Sequence, residues 1–348
     1  MAERANEILH VRADQTGQTL IAFLRAMLPG KSWGQVKNLV ARRQIRVNGN
    51  LCRDGARRLK EKEVVHVLKD SAAPPPSKEN LVLRFVDTHI VVVEKPAGIT
   101  SNRHEEEKDW NKKRKSLQPT LDELLTRVVA DRDAKRRPPS PKGKRPPVSP
   151  LFRHSPPRVR PVHRLDRDTS GIMVYARTAP AEKNLVQQFR QHTTERRYLA
   201  VVHGAPEAQT IESRLVRDRG DGYRGSTDLP DAGKLAITHV KPIERLGNYT
   251  LVECRLETGR THQIRIHLSE KGFPVCGDKL YVQPLFRPKI KDASGAPRLA
   301  LHSTELVFVH PISGETMRFE MGLPSDLAKF VARLRREVKS EEDSTPER

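Results

Sequence analysis

Residues 71 to 78 read SAAPPPSK. Three successive prolines remove three backbone donors, lock φ at about −65° and favour an extended polyproline conformation, so neither a helix nor an internal strand passes through them. The stretch reads as a semi-rigid linker, and the chain is expected to hold two folded domains plus tails. Its 348 residues agree, because that length is past the size at which a single core keeps growing.

Charge narrows the partner. Lys and Arg number 64 against 43 Asp and Glu, a formal net charge of +21, which favours a polyanion, nucleic acid above all. No apolar run reaches the roughly 18 residues of a membrane span and no basic amphipathic anchor helix is found, so a membrane partner is not expected. The opening MAERANEILHVRAD lacks the apolar stretch of a secretory signal, which places the expected protein in the cytoplasm. Cys52, Cys254 and Cys276 have no paired metal-type spacing and read as free thiols. His262 and His267 have the wrong interval for two ligands on one helical face, so no metal is expected.

Before the prolines, Leu20, Phe23, Leu24, Met27 and Leu28 recur at helical intervals, and Pro29-Gly30 stops that helix. Ser32 is placed to cap a second helix that turns Val36, Leu39 and Val40 inward and leaves Lys37, Arg42 and Arg43 elsewhere or at its end. IRVNGNL then carries the Asn48-Gly49 hairpin signal, and Val64 to Leu68 reads as another strand. This order of elements resembles the RNA-binding module named after the fourth small-subunit ribosomal protein. In that module the second helix and adjoining loop lie against folded RNA, which makes Lys37, Arg42 and Arg43 RNA-binding candidates. The divisions expected are a tail at 1–13, the module at 14–70, a linker at 71–79, a larger domain at 80–330 and a helix end and tail at 331–348.

Between Arg132 and Arg160 stand ten Lys or Arg, one Asp and eight Pro. With few apolar side chains to bury, this segment reads as disordered. It is either a tolerated insertion or a cationic arm that touches RNA phosphates without base specificity. At the far end Ser325 is expected to cap a helix bearing Leu327, Phe330, Val331, Leu334 and Val338, followed by a loose SEEDSTPER.

Chemistry concentrates in VHRLDRDTSGIMV, residues 162 to 174. A surface that only binds phosphate gains nothing from Asp166 between Arg164 and Arg167. One reading is a turn whose Asp and Thr side chains satisfy backbone groups. A hydrolase triad of His163, Asp166 and Ser170 is disfavoured, because the three lie too close on one loop and no G-x-S-x-G elbow is present.

HRLDRDTSG followed by IMVYA resembles the signature of the RluA-type pseudouridine synthases. EKPAGI at 94–99, RRYLAVVHG at 196–204, LETGRTHQIRIHL at 256–268, GDKLY at 277–281 and RLALHSTELVFVHPISGE at 298–315 resemble that family in the same order. The likeness implies an α+β fold, with the small module followed by a catalytic domain on a mixed, largely antiparallel sheet. It implies no cofactor, an RNA substrate and Asp166 as the catalytic residue. Large-subunit ribosomal RNA is the favoured substrate and transfer RNA the second. A non-catalytic RNA-binding assembly factor is the competing class. With no exposed apolar seam, a monomer is expected.

The reaction itself breaks the bond from ribose to the uracil nitrogen, turns the base and rejoins it through carbon 5. One ionised carboxylate against the sugar or the base suffices as nucleophile. Removal from water raises a carboxyl pKa, so a fixed cation must hold the charge. The resemblance names Arg265, and a separation above about 6 Å from Asp166 counts against that pairing. Ile264, Ile266 and Leu268 alternate as in a strand, while Ile264 and Leu268 with Thr261 as cap and Gly272 as stop fit a helix; the resemblance favours the helix. Tyr198 reads on pattern as a half-buried strand tyrosine. By resemblance it lies against the target uracil, where stacking contributes about 1–3 kcal/mol and the phenol assists proton removal from carbon 5.

The target base must be flipped from its stack at a cost of a few kcal/mol. Arg164 is the candidate to fill the vacated space, Arg260 and Thr261 to grip the backbone. His163 either contacts phosphate or satisfies a loop carbonyl. The interval from Pro96 to His163 is longer and more basic than the family pattern, with Thr120 to Val129 as its helix, so the substrate specificity of relatives does not transfer directly.

Overall fold

The computed structural model describes residues 7–72, 74–103, 107, 110–136, 158–220, 222–283 and 288–343. In chain order its elements are β1 (Glu7–His10), α1 (Leu20–Met27), α2 (Trp33–Ala41), β2 (Ile45–Val47), β3 (Asn50–Leu51), β4 (Val64–Val67), β5 (Val82–Val86), β6 (Ile90–Lys95), α3 (Lys112–Leu117) and α4 (Leu121–Arg136). There follow β7 (Arg160–Pro161), β8 (Ser170–Ala176), α5 (Ala179–Arg190), β9 (Glu195–His203), β10 (Gln209–Val216), β11 (Gly225–Thr227), β12 (Lys234–Leu246), β13 (Tyr249–Leu256), α6 (Gln263–Glu270), β14 (Leu301–Val309), β15 (Thr316–Glu320) and α7 (Ser325–Asp343).

The chain divides into two compact units. The first comprises Met1–Pro75, His104–Pro119 and Arg214–Gly233. Its sheet has the order β1-β4-β2-β3, and Leu20, Phe23, Leu24, Val36 and Val40 of the helices pack with Ile45, Val47 and Val65 of the strands. Thr19 Oγ1 accepts from the Ala22 amide at 3.3 Å to start α1, and Ser32 forms a reciprocal capping box with Gln35 to start α2. Asn48 and Gly49 both take positive φ, 51° and 80°, the requirement of a two-residue hairpin turn that matches strand twist.

Three expectations shift in this unit. Glu7–His10, read as tail, pairs with β4 in antiparallel register; four residues on an edge carry too little alternation to announce a strand. Two segments remote in sequence join the unit: Gln118 donates to the Leu51 carbonyl at 2.9 Å, and His66 Nε2 to the Gly222 carbonyl at 3.2 Å. Lys37 and Arg42 are exposed, whereas Arg43 is half-buried in the left-handed region at φ 61° and its Nε donates to the Ala72 carbonyl at 2.8 Å.

The second unit comprises Pro76–Arg103, Thr120–Ser213 and Lys234–Arg348. Its mixed sheet runs β10-β12-β13-β9-β14-β8-β6-β5, with β15 on β14 and β7 on β8. The β14–β8 pair is parallel and the other pairs described are antiparallel. Side chains alternate across the sheet as strand geometry demands. Met173 and Tyr175 of β8 enter one core with Leu121 and Leu125 of α4, Ile264 and Leu268 of α6, and Phe330 and Leu334 of α7. Ile172, Val174 and Ala176 enter the other core with Ala181 and Leu185 of α5. Covered on both faces, β8 is buried along its whole length.

The helix expected at Thr120 to Val129 runs to Arg136, so the front of the basic 132–160 segment is helical; residues 137–157 lie outside those described. Ser325 is the first residue of α7, not its cap, and that helix reaches Asp343 through part of the stretch read as loose tail.

Candidate active site

Asp166 sits in the loop that leads into β8. The loop is held from behind by the segment EKPAGITS. Lys95, fully buried, donates from Nζ to the carbonyls of Pro96, Arg167 and Thr169 at 3.1, 3.0 and 2.6 Å. Burial pulls the Lys95 pKa down to about 7, against the nearby carboxylate of Asp168, which favours its charged form. Ser101 Oγ donates to the Leu165 carbonyl at 2.8 Å and accepts from the Leu165 amide at 3.0 Å. Gly171 closes the loop at φ +132°, where a Cβ would stand 2.3 Å from the Ser303 carbonyl oxygen. Only glycine permits β8 and β14 to approach so closely. Arg167 turns to Asp168 at 2.7 Å.

The segment that carries Arg265 is α6. His262, in the left-handed region at φ 61°, precedes the helix in place of the expected Thr261 cap. Arg265 Nε and Nη2 donate to the two oxygens of Asp278 at 2.7 and 2.8 Å, while Nη1 stands 3.5 Å from Asp166 Oδ2. That distance is inside the 6 Å limit set from the sequence. Asp278 also accepts from the Leu280 and Tyr281 amides at 2.8 and 3.1 Å. Burial would raise its carboxyl, but the Arg265 charge and these donors outweigh it and hold the pKa below the ordinary value. For Arg265 burial acts downward and Asp278 prevails, so its pKa lies above the usual arginine value. The guanidinium lies 4.9 Å from the Tyr281 ring centroid. Tyr281 OH and His262 Nδ1 are hydrogen bonded at 2.7 Å, and His262 Nε2 is 3.9 Å from Asp166 Oδ1.

Asp166, Tyr198 and Arg265 line one cavity of about 410 Å³, within the usual range for a small-ligand pocket. Among the described residues its lining contains five arginines (164, 190, 196, 260 and 265) and one carboxylate, Asp166. Tyr198 lies on β9 opposite Cys254 and Ser303. Burial raises its phenol above the ordinary pKa, against a smaller downward pull from Arg196. It is therefore neutral near pH 7.

The remaining sequence candidates divide. Arg164 is exposed at the cavity mouth, and Thr261 lines the wall. Arg260 lines it too, with Nε donating to the Leu235 carbonyl at 2.8 Å. His163 also lines the cavity; its Nε2 accepts from the Val174 amide at 3.1 Å, and the ring stacks on Phe189 at 4.4 Å. Burial, with Arg196 nearby, holds it neutral with a pKa of about 3. Lys37, Arg42 and Arg43 belong to the first unit. Outside the cavity His203, Cys276 and Asp292 place ligand-type atoms within 4.8 Å of one another, with His203 Nε2 already paired to Asp292 Oδ1 at 3.2 Å.

Sequence reasoning missed Asp278, Tyr281, Lys95 and Ser101 as individual residues. Each lies in or next to a motif quoted above, GDKLY or EKPAGI, but each acts on a partner 13 to 74 positions away, which spacing does not reveal.

The fold is that of the pseudouridylate synthases: human RNA pseudouridylate synthase domain containing 4 superposes with a TM-score of 0.53 over 73% of this chain and 92% of that one, at 21% identity. The sequence agrees, because the profile of the RNA pseudouridylate synthases matches residues 89–270. Ribosomal large subunit pseudouridine synthase D of Neisseria meningitidis is 32% identical over 97% of this chain and 84% of that protein. The protein of the same name from Escherichia coli O157:H7 is 29% identical over 99% and 98%. The chain belongs to the RluA-type pseudouridine synthase family and is an RNA-modifying isomerase. No helix among the described residues is long and apolar enough to cross a membrane.

Proposed function

We propose that this enzyme isomerises uridines of large-subunit ribosomal RNA, with Asp166 as the nucleophile. The observation that carries the reading is a carboxylate that, among the described residues, stands alone in a cationic cavity, set 3.5 Å from a guanidinium that Asp278 fixes. A cavity built only to hold RNA has no use for a negative charge inside it. A nucleophile for ribose or base does, and the Arg265 guanidinium stands against that carboxylate.

Tyr198 is assigned to the flipped uracil. Being neutral, its ring offers a stacking face, and its oxygen is available to carbon 5 without carrying charge of its own. Arg164, exposed at the mouth, is assigned to the gap the base leaves. Lys37 and Arg42, exposed on the first unit, are assigned to RNA phosphates, which makes that unit an RNA-binding module. Ribosomal over transfer RNA rests on the names and near-complete overlap of the bacterial relatives.

The substrate is tested by mapping pseudouridine, with a carbodiimide adduct and primer extension, in large-subunit RNA and in transfer RNA after incubation with the enzyme. New stops confined to large-subunit RNA support the reading; stops confined to transfer RNA replace its substrate.

A further inference from the structure

The cavity holds a second inward guanidinium that the assigned reaction has not used. Arg196 lies two residues before Tyr198 on β9, so strand alternation puts both on one face, and both line the cavity. Its Nη2 donates to the Leu256 and Glu257 carbonyls at 3.3 and 2.9 Å. Its guanidinium carbon stands 5.9 Å from the centroid of Phe189, the ring that stacks on His163. Gly259 makes the room, since a Cβ there would lie 2.8 Å from Arg196 Nη1.

What Arg196 lacks is a counter-charge. Arg265 has Asp278 and Asp166, and neighbouring Arg197 has Glu253, Glu305 and Glu320. Among the described residues no carboxylate forms an ion pair with Arg196, and its buried Nε has no hydrogen-bond partner. Arginine does not escape this cost by losing its proton. A partly desolvated cation held by neutral groups in a cleft is a vacant seat for an anion.

We propose that Arg196 is the phosphate grip of the active cavity: it takes a non-bridging oxygen of the RNA phosphodiester next to the target uridine and so sets that sugar against Asp166. The inference rests on reading the cavity as a uridine site. The competing role is purely structural, a tie between β9 and the turn at Leu256–Gly259.

The test measures binding without turnover. In an Asp166→Asn background, a fluorescent single-stranded RNA nonamer with one central uridine is titrated by anisotropy, beside the same nonamer bearing uncharged methylphosphonates on either side of that uridine. The parent should bind the charged nonamer roughly tenfold or more tightly, the scale of one hydrogen bond to a charged group. Arg196→Gln should abolish that preference and reduce the slope of log K against log salt by about 0.7, while Arg196→Lys keeps both. If Arg196→Gln fails to fold, Gly259→Ala, which displaces the guanidinium without removing it, should weaken the preference. Equal preference and slope in parent and variants, or no preference in the parent, overturns the proposal. Because no turnover is read, failure of the wild type to form pseudouridine would count against the assigned reaction and leave this result to stand or fall separately.

Discussion

Asp278 takes two of the three nitrogens of the Arg265 guanidinium, at 2.7 and 2.8 Å, and leaves the third to face Asp166. The carboxylate at the centre of the site is thus positioned by a second carboxylate through one planar cation. Asp278→Asn should lower turnover on the order of 100-fold by misplacing that cation. It should also cost about 3–5 kcal/mol of stability, because it breaks a buried pair from one side. Arg265→Lys should behave similarly, since an ammonium cannot hold a bidentate partner and face Asp166 at once. Turnover together with urea denaturation checks both; turnover unchanged in either variant would remove this link.

Tyr198 presents a neutral ring on the cavity wall. Tyr198→Phe keeps the stacking face, so its RNA affinity should stay within about threefold of wild type, because the stacking term is retained. Turnover in that variant reports what the hydroxyl adds. Tyr198→Ala should lose about 1–3 kcal/mol of binding. Anisotropy with catalytically inert enzyme separates the two, and equal losses would show that the ring does not stack.

Gly171 carries φ +132° with the Ser303 carbonyl at its back. Gly171→Ala should cost about 3 kcal/mol or more, from backbone strain and overpacking together. Loss of activity should accompany the loss of stability, since the same loop bears Asp166. A melting temperature equal to wild type would contradict this packing.

Four histidines, three of them buried and His163 half-buried, set the acid limit. Burial holds His66, His267 and His302 down at about 4 and His163 at about 3. In each case the folded value lies below the unfolded value of about 6.5, so the unfolded chain binds more protons between the two. Stability is therefore fully present above pH 6.5 and falls as pH drops through that window, by about 1–2 kcal/mol per group at pH 5. Urea denaturation at pH 7 and pH 5 gives the slope. Imidazole proton shifts should show these four rings still neutral at pH 5, and titration near 6.5 would refute the assignment.

Much of the catalytic unit was legible because its motifs lie on short local structures. HRLDRDTSG is a loop entering a strand, and GRTHQIRIHL a turn entering a helix, so residue order and neighbourhood coincide there. The convergence of Asp166, Tyr198 and Arg265 on one cavity came from resemblance, since no periodicity joins residues 166, 198 and 265. Ile264, Ile266 and Leu268 left helix and strand open, and tertiary packing of Ile264 and Leu268 into the main core settled it. Asp278 was invisible as a partner because its bond to Arg265 crosses thirteen residues and a change of element. In the first unit, the joining of His104–Pro119 and Arg214–Gly233 to residues 1–75 depends on contacts such as Gln118–Leu51 and His66–Gly222, across 67 and 156 positions, which composition does not record.

The central claim is that Asp166 is the nucleophile of a pseudouridine synthase, and tritium release from large-subunit RNA labelled at uracil carbon 5 tests it most directly. Wild type should release tritium, while Asp166→Asn, which keeps the shape and removes the charge, should bind the RNA and release none above background. Release by Asp166→Asn at a rate near wild type would contradict the account.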